Sequence, residues 1–327
     1  MILTVTPNPA LDLTWHADEL RPGETHRVAT GAARAGGKGL NVARVLHGQG
    51  VDVLALTTGG GAAGAELTEE LGRSGIPHRL VPMRGTTRRS VAIVDDAAGE
   101  ATVLNELGAP LLAAEAGALL AEAERLGRAA AAVAVSGSLP PGLSPESVGD
   151  LIARLRAAGR PVVADVPRDA LLAAARAGAS VVKPNRDELA EATGETDPLT
   201  GARRLLELGA GVVVASLGAD GLLAIGRDGG IHARLGRRLR GNATGAGDAA
   251  VAAIALTLAE TRLGQLDALD ADALDVLDPD ALAADALARM AQRATAWSAS
   301  AVLMPLAGDL HPDHAALERE IILEPVR

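Results

Sequence analysis

Seven residues near position 245 have the types and the spacing to handle a phosphoryl group. Asn242-Ala-Thr-Gly-Ala-Gly-Asp248 runs directly into the apolar stretch AAVAAIALTLAE. A glycine-rich turn that opens a helix leaves the N–H groups of Gly245, Ala246, Gly247 and Asp248 without intrahelical acceptors. They sit at the end of the helix that carries partial positive charge, and such an end is a ready anion site. Gly245 and Gly247 let a phosphate approach with no Cβ in the way. Asp248 has two readings. It is an acid that stabilises a helix start, or it accepts the proton of an attacking hydroxyl while the amides hold the transferred group.

A second glycine loop, Gly36-Gly-Lys-Gly-Leu-Asn41, also opens a helix. It is not a nucleotide P-loop: Ala32 stands where that motif needs glycine, and Gly39 follows the lysine where serine or threonine is needed. The loop, through Gly37, Lys38 and Asn41, is expected to meet a sugar or its phosphate, unless it is only a tight strand–helix turn with a surface lysine. A third run, Gly59-Gly-Gly-Ala-Ala-Gly64, fits G-x-G-x-x-G, but the acid a dinucleotide fold wants about twenty residues later is missing. It is read as a wall of the sugar pocket or as structural. In Lys183-Pro-Asn185-Arg-Asp-Glu188, Asn185 and Glu188 are a capping box. Alternatively, at a parallel strand's carboxyl end, they face a ligand, with Glu188 holding magnesium through water. Ser216-Leu-Gly218-Ala-Asp-Gly221 offers a close backbone turn to a nucleotide.

The elements that must position these loops are legible as short apolar runs alternating with helical patterns. ILTVT, VDVLALTT, AAVAVSG, PVVADV, SVVKPN and GVVVASLG read as strands; LNVARVLHGQG, GAELTEELGRSG, SPESVGDLIARLRAAG and PLTGARRLLELGAG read as helices. This alternation predicts parallel βαβ units in a doubly wound, mostly parallel α/β sheet covered on both faces. Residues 12–34 and 87–106 break the rhythm, with strands and no helix between them. They predict a small discontinuous β-lid, against a core of residues 1–11, 35–86 and 107–327. The D-D-A-A-G-E run inside the second piece is a hairpin signal, and another hairpin is expected to turn at Asp228-Gly229. The acidic run from Thr261 to Asp285 has no EF-hand spacing and reads as a solvated helical insertion.

Composition removes several classes. The 327 residues contain no Cys, Phe or Tyr and only two Trp. That rules out disulfides, thiolate chemistry and aromatic base-stacking platforms. A formal charge of −10 argues against nucleic acid as a partner. No apolar stretch is long enough to span a bilayer, and the start MILTVTPNPA lacks the features of a signal peptide, so no membrane association and a cytoplasmic location are expected.

The pieces, in this order, resemble the ribokinase-like sugar kinases of the PfkB family. N-P-A-L-D, G-G-K-G-L-N, K-P-N-R-D-E, S-L-G-A-D-G and N-A-T-G-A-G-D carry the likeness across nearly the whole chain. T-P-N-P-A-L-D-L-T, P-G-E, L-N-E and S-G-S-L-P-P-G make it similar to the 1-phosphofructokinase and tagatose-6-phosphate kinase branch. The resemblance implies ATP with Mg2+, Asp248 as base, and Gly245, Ala246 and Gly247 as an anion hole. It implies that Asp12, Gly37, Lys38, Asn41 and Ser138 contact the sugar, and that Arg88 or Arg89 meets its phosphate, with Arg27 a further candidate cation. Glu188 and Asn185 fall on the magnesium–phosphate side, and Ser216, Gly218 and Gly221 on the nucleotide. A homodimer through the β-lid is implied too.

The chain departs from the branch at Ala243-Thr244, at Asp165-Val-Pro-Arg-Asp-Ala-Leu171, and at Met304 and Leu306, which are expected to reshape the adenine pocket. The resulting expectation is phosphorylation of fructose 1-phosphate at its 6-hydroxyl. The alternatives are a sister kinase for tagatose 6-phosphate, fructose 6-phosphate or another sugar, a non-catalytic sugar–nucleotide binder, and a nicotinamide enzyme.

Overall fold

In chain order the elements begin with strands β1 (Ile2–Thr6), β2 (Ala10–Ala17) and β3 (Ala32–Gly36) and helix α1 (Lys38–Gly48), in a computed structural model that describes residues 1–267 and 284–326. There follow β4 (Val53–Gly59), α2 (Gly61–Arg73), β5 (His78–Pro82), β6 (Arg88–Asp95), β7 (Glu100–Asn105), α3 (Ala113–Gly127), β8 (Ala132–Ser136) and α4 (Pro145–Ala157). Next come β9 (Val162–Asp165), α5 (Arg168–Arg176), β10 (Val181–Val182), α6 (Arg186–Thr193), α7 (Pro198–Leu208) and β11 (Val212–Ser216). The chain ends with β12 (Leu222–Gly226), β13 (Gly229–Leu235), α8 (Ala246–Asp267), α9 (Ala284–Val302), α10 (His314–Glu320) and β14 (Ile321–Val326). The reading of residues 261–285 as a solvated insertion falls mostly on 268–283, outside the described residues.

A ten-stranded sheet in the order β14-β13-β12-β11-β10-β9-β8-β1-β4-β5 forms the body. It is parallel from β5 across to β11 and closes with antiparallel β12, β13 and β14. Central strands are apolar without alternation because both faces are covered. Leu40, Leu71, Ile254 and Trp297 pack one face, while Leu119, Ile152, Leu171 and Leu205 pack the other. The strand order reverses beside β1, whose neighbours are β4 and β8, so a crevice forms beyond the strands' carboxyl ends. Those ends carry chemistry: Asp165 closes β9, Lys183 follows β10, and Ser216 closes β11.

A second sheet, in the order β3-β2-β6-β7, leans over that crevice. Ala10 pairs with Arg88 and Asp12 with Ser90 where β2 and β6 run parallel, and Asp12 also lies opposite Arg34 on β3. The D-D-A-A-G-E run forms the hairpin between β6 and β7, held by the Asp95 carboxylate accepting the Ala98 N–H at 2.9 Å. The other expected hairpin is present but shifted by one residue. Gly226 pairs with Gly229, so Arg227 and Asp228 make the loop and Gly229 already belongs to the return strand.

Candidate active site

A cleft of about 950 Å³ lies between the large sheet's carboxyl edge and the small sheet. Its floor is the start of α8. Gly245 has φ 86°, and a Cβ there would meet the Ala307 Cβ at 2.7 Å, so only glycine makes this turn. Asn242 Oδ1 accepts the Thr244 N–H at 2.9 Å and tightens the approach. Ala249–Ala255 are then buried on every side, which fits a helix that is apolar all round. Ala246 N–H donates back to the Ala243 carbonyl at 3.2 Å. The amides of Gly245, Gly247 and Asp248 have no acceptor among the described residues and line the cleft.

Asp248 is in the first turn of α8, only 6 % exposed. Its Oδ2 accepts a hydrogen bond from Asn41 Nδ2 at 2.8 Å. Burial raises its pKa to about 6, with Asp165 adding to the rise and Asn41, Lys38 and Lys183 opposing it. A carboxylate in this range is ionised at neutral pH yet basic enough to receive a proton.

Beside it stands a compact charge cluster drawn from α1, β9, β10 and α6. Lys38 Nζ is 3.2 Å from Asp165 Oδ1 and 3.5 Å from Glu188 Oε1, and Lys183 Nζ is 3.4 Å from Asp165 Oδ1. Burial alone would push the Lys38 pKa down, but Asp165, Glu188 and Asp248 hold it well above its ordinary value. Burial likewise pushes Asp165 up, and the two lysines pull it below the usual carboxylate range. Lys183 Nζ lies 3.5 Å from where a Cβ on Gly247 would be, so a buried cation backs the turn.

The opposite wall is the small sheet. Asp12 on β2 rests against Gly36, where any Cβ would strike its carboxylate. Burial raises the Asp12 pKa to about 6; Arg88 opposes the rise and Asp248 adds to it. Arg88 on β6 donates to the Asn8 carbonyl from Nε and Nη2 and to the Glu106 carbonyl from Nη1, each at 3.3 Å. Among the described residues no carboxylate lies within salt-bridge distance of it; burial pushes its pKa below the ordinary value, and the charges of Asp12 and Glu106 oppose that fall.

These features have counterparts in known proteins. Residues 8–303 match the model of the pfkB family carbohydrate kinases. The chain belongs to this family. It is 40% identical, over 271 residues, to a 1-phosphofructokinase of Xanthomonas campestris pv. campestris, covering 78% of this chain and 83% of the relative. It is 34% identical to an ATP-dependent 6-phosphofructokinase isozyme 2 of Mycobacterium tuberculosis, covering 79% and 77%. The crystal structure of Escherichia coli phosphofructokinase-2 in complex with fructose-6-phosphate superposes with a TM-score of 0.82 at 28% identity, covering 97% of this chain and 98% of that one. The chain is thus a carbohydrate kinase, an enzyme that phosphorylates a sugar hydroxyl.

In this carbohydrate kinase Asp12, Gly37, Lys38, Asn41, Arg88, Asn185, Glu188, Ser216, Gly218, Gly221 and the Gly245–Asp248 turn all line one cleft. Asn185 and Glu188 also make the full capping box, each side chain accepting the other's backbone N–H at 2.8 and 2.9 Å. The two readings of that pair are therefore compatible, since Glu188 Oε1 still faces Lys38. Ser138 is not brought to the cleft; its Oγ accepts from Asn8 Nδ2 at 3.0 Å. Arg89 alternates to the other side of β6 from Arg88, and Arg27 is exposed away from the cleft. Met304 and Leu306 do not line it; Val302, Ser298 and Thr295 of α9 do. The Gly59–Gly64 run is structural: a Cβ on Gly60 would meet the Gly85 carbonyl at 2.1 Å, and the run lines no part of the cleft. Sequence reasoning missed Asp165 as the shared partner of Lys38 and Lys183, and the cleft-lining Arg237 and Arg238. The signal available was an acid at the end of β9, a lysine just after β10 and a lysine at the start of α1.

Proposed function

We propose that this kinase transfers the γ-phosphoryl group of ATP to the 6-hydroxyl of fructose 1-phosphate, giving fructose 1,6-bisphosphate and ADP. The observation that carries the reading is Asp248: a buried carboxylate with a pKa of about 6, beside three unpartnered amides at a helix start. In the reaction O6 of the sugar attacks the γ-phosphorus. Its proton passes to Asp248, a bond forms from O6 to phosphorus, and the bond from phosphorus to the β,γ-bridging oxygen breaks with ADP leaving. The Gly245, Gly247 and Asp248 amides hold the transferring group as its charge spreads. Ala246 contributes to this anion hole by its position in the turn, since its own N–H is shared with Ala243.

Asp12, Asn41, Gly37 and Lys38 orient the sugar, and Arg88, hydrogen-bonded to the Asn8 and Glu106 carbonyls, receives its 1-phosphate. Asn185, Ser216, Gly218 and Gly221 border the nucleotide. Among the described residues no three acidic or imidazole groups cluster as metal ligands. Glu188, with Oε2 accepting the Asn185 amide and Oε1 3.5 Å from Lys38 Nζ, would hold a Mg2+ through water, the ion keeping water and phosphate oxygens as its ligands. Bound there, magnesium would neutralise phosphate charge. The pieces 12–34 and 87–106 act as a lid that excludes water from the transfer. The lid's outer face, where Leu104 is 62% exposed and shares its side of the sheet with its pair partner Val91, is the surface through which a second copy binds. Among the described residues no helix is long and apolar enough to cross a membrane. Use of ATP and a sugar phosphate makes the cytoplasm the working location of this reading.

A coupled ADP-release assay over fructose 1-phosphate, fructose 6-phosphate, tagatose 6-phosphate and free fructose tests the substrate. The highest kcat/KM is expected with fructose 1-phosphate. The 34% identical relative makes fructose 6-phosphate the second reading, and a higher kcat/KM with it replaces the first. Binding of ATP and sugar phosphate without any ADP release would leave a non-catalytic binder.

A further inference from the structure

Residues 305–309 form a bracket behind the phosphate cradle. The Pro305 carbonyl accepts from Asn242 Nδ2 at 3.0 Å. Ala307 packs against Gly245, its Cα only 2.9 Å from where a Cβ on that glycine would be. The far side of the bracket is gripped by one residue of the small sheet. Arg34 on β3 donates from Nη1 to the Ala307 carbonyl at 2.7 Å and from Nη2 to Asp309 Oδ2 at 2.8 Å.

That guanidinium belongs to the strand that supports the sugar-side carboxylate. Arg34 is the register partner of Asp12, so the two side chains share a face of the small sheet. The next residues are fixed in turn. The Ala35 N–H donates to Glu70 Oε2 at 3.0 Å, and the same oxygen accepts from Arg44 Nη2 at 2.7 Å. Arg44 in its turn packs under the bracket, its Cδ 2.8 Å from a Cβ position on Gly308.

We propose that Arg34 is a positioning residue that ties the strand pair carrying Asp12 to the bracket behind Gly245. The two-pronged hold keeps the acceptor hydroxyl and the terminal phosphate in register. A lysine supplies the charge but not the fork, so one prong is lost on replacement. Small displacements of reacting groups cost turnover steeply while leaving binding nearly intact.

This inference rests on the kinase reading above, and the test separates the two. Arg34→Ala is expected to lower kcat about 100-fold, with KM for nucleotide and sugar phosphate within about threefold of wild type. Arg34→Lys should recover part of the loss, and Asp309→Ala, which spares the Ala307 contact, should lose about tenfold. A kcat within about twofold of wild type for Arg34→Ala, or a loss appearing wholly as raised KM, overturns the inference. So does an Arg34→Lys loss equal to that of Arg34→Ala with a matching fall in Tm. Amide exchange by NMR on the ligand-free variants gives a readout independent of turnover. Exchange at Thr244, Ala246 and Ala249 should quicken in Arg34→Ala. Unchanged exchange there overturns the brace, whereas a wild-type chain that phosphorylates no sugar overturns the functional reading and leaves exchange to decide this one.

Discussion

The two walls of the cleft are built differently. The wall on the large sheet holds its charges against one another: Asp165, Lys183 and Asp248 are 1, 3 and 6% exposed. Lys38 bridges Asp165 and Glu188. Removing one member leaves another buried charge unpaired, a costly state, so the cluster is stiff. The wall on the small sheet is half-buried along β6 and exposed along β7, and the hydrogen bonds of Arg88 among the described residues go to backbone carbonyls. Burial on two sides permits fixed chemistry; a sheet with one open face permits movement and selection. On the proposed reading the phosphoryl transfer belongs to the first wall and recognition of the sugar's phosphate to the second.

The sharpest way to break this division is Asp248→Asn. It is expected to lower kcat by about 10³-fold, the usual range for a lost general base, while Tm and sugar binding by calorimetry stay near wild type. A variant keeping more than about a tenth of the wild-type kcat would move the chemistry elsewhere. The matching change on the other wall is Arg88→Ala. KM for fructose 1-phosphate should rise about 10- to 100-fold, as loss of a charge-assisted bond to phosphate implies, with kcat for unphosphorylated fructose unchanged. An equal effect on both sugars would end Arg88's assignment to the phosphate.

The pH profile joins the walls, because Asp248 and Asp12 both titrate near 6. Both pKa values are raised, and both groups work ionised, so kcat/KM should rise with pH through about 6 and fall off below it. At pH 5 one group with that pKa is about one-tenth ionised, giving roughly a tenfold loss per group. With both required, the acid limb has a slope approaching two; Asp12→Asn should reduce it to one and move the midpoint to lower pH, because the Asp12 charge that opposes ionisation of Asp248 is gone. Asn41→Ala removes a bond that favours the Asp248 carboxylate and should move the limb to higher pH. A limb unmoved in Asn41→Ala would place its titration on another group.

The open face supplies a fourth test. Leu104 is 62% exposed on β7, on the side of the sheet away from the cleft-lining Ser90 and Asn105. Leu104→Asp should weaken self-association about tenfold or more by sedimentation, because a buried leucine contributes about 1.5–3 kcal/mol, with little change in monomer Tm. Unchanged association would remove this face as the interface.

What was legible in the sequence follows the same line between local and convergent features. The Asn242–Asp248 turn could be read because glycines and an apolar helix are neighbours in the chain. The alternation of strands and helices was legible for the same reason. The Lys38–Asp165–Lys183 cluster was not, because its members come from α1, β9 and β10 and meet only when the sheet forms. Ser138 and Met304 looked close to ligand by motif position. Side-chain direction decided otherwise: the exposed Ser138 accepts from Asn8, and α9 presents Val302 to the cleft in place of Met304. The hairpin at Arg227–Asp228 was displaced by one residue because glycine is tolerated both in a turn and at a strand start.

Ser138→Ala makes the smallest predicted change and tests motif position against geometry. Ser138 Oγ is one of two acceptors for Asn8 Nδ2; the other is the Leu107 carbonyl at 3.1 Å. The Asn8 carbonyl in turn accepts from Arg88. Loss of the hydroxyl leaves Asn8 anchored by Leu107, so Arg88 keeps its orientation. A neutral, partly exposed hydrogen bond contributes only about 0.5–1.5 kcal/mol, and most of that is felt by Asn8 rather than by substrate. KM for fructose 1-phosphate should therefore rise no more than about twofold, with kcat unchanged. A tenfold rise would mean that Ser138 reaches the sugar directly once the small sheet closes, and would shift part of substrate selection from the small sheet to the loop after β8.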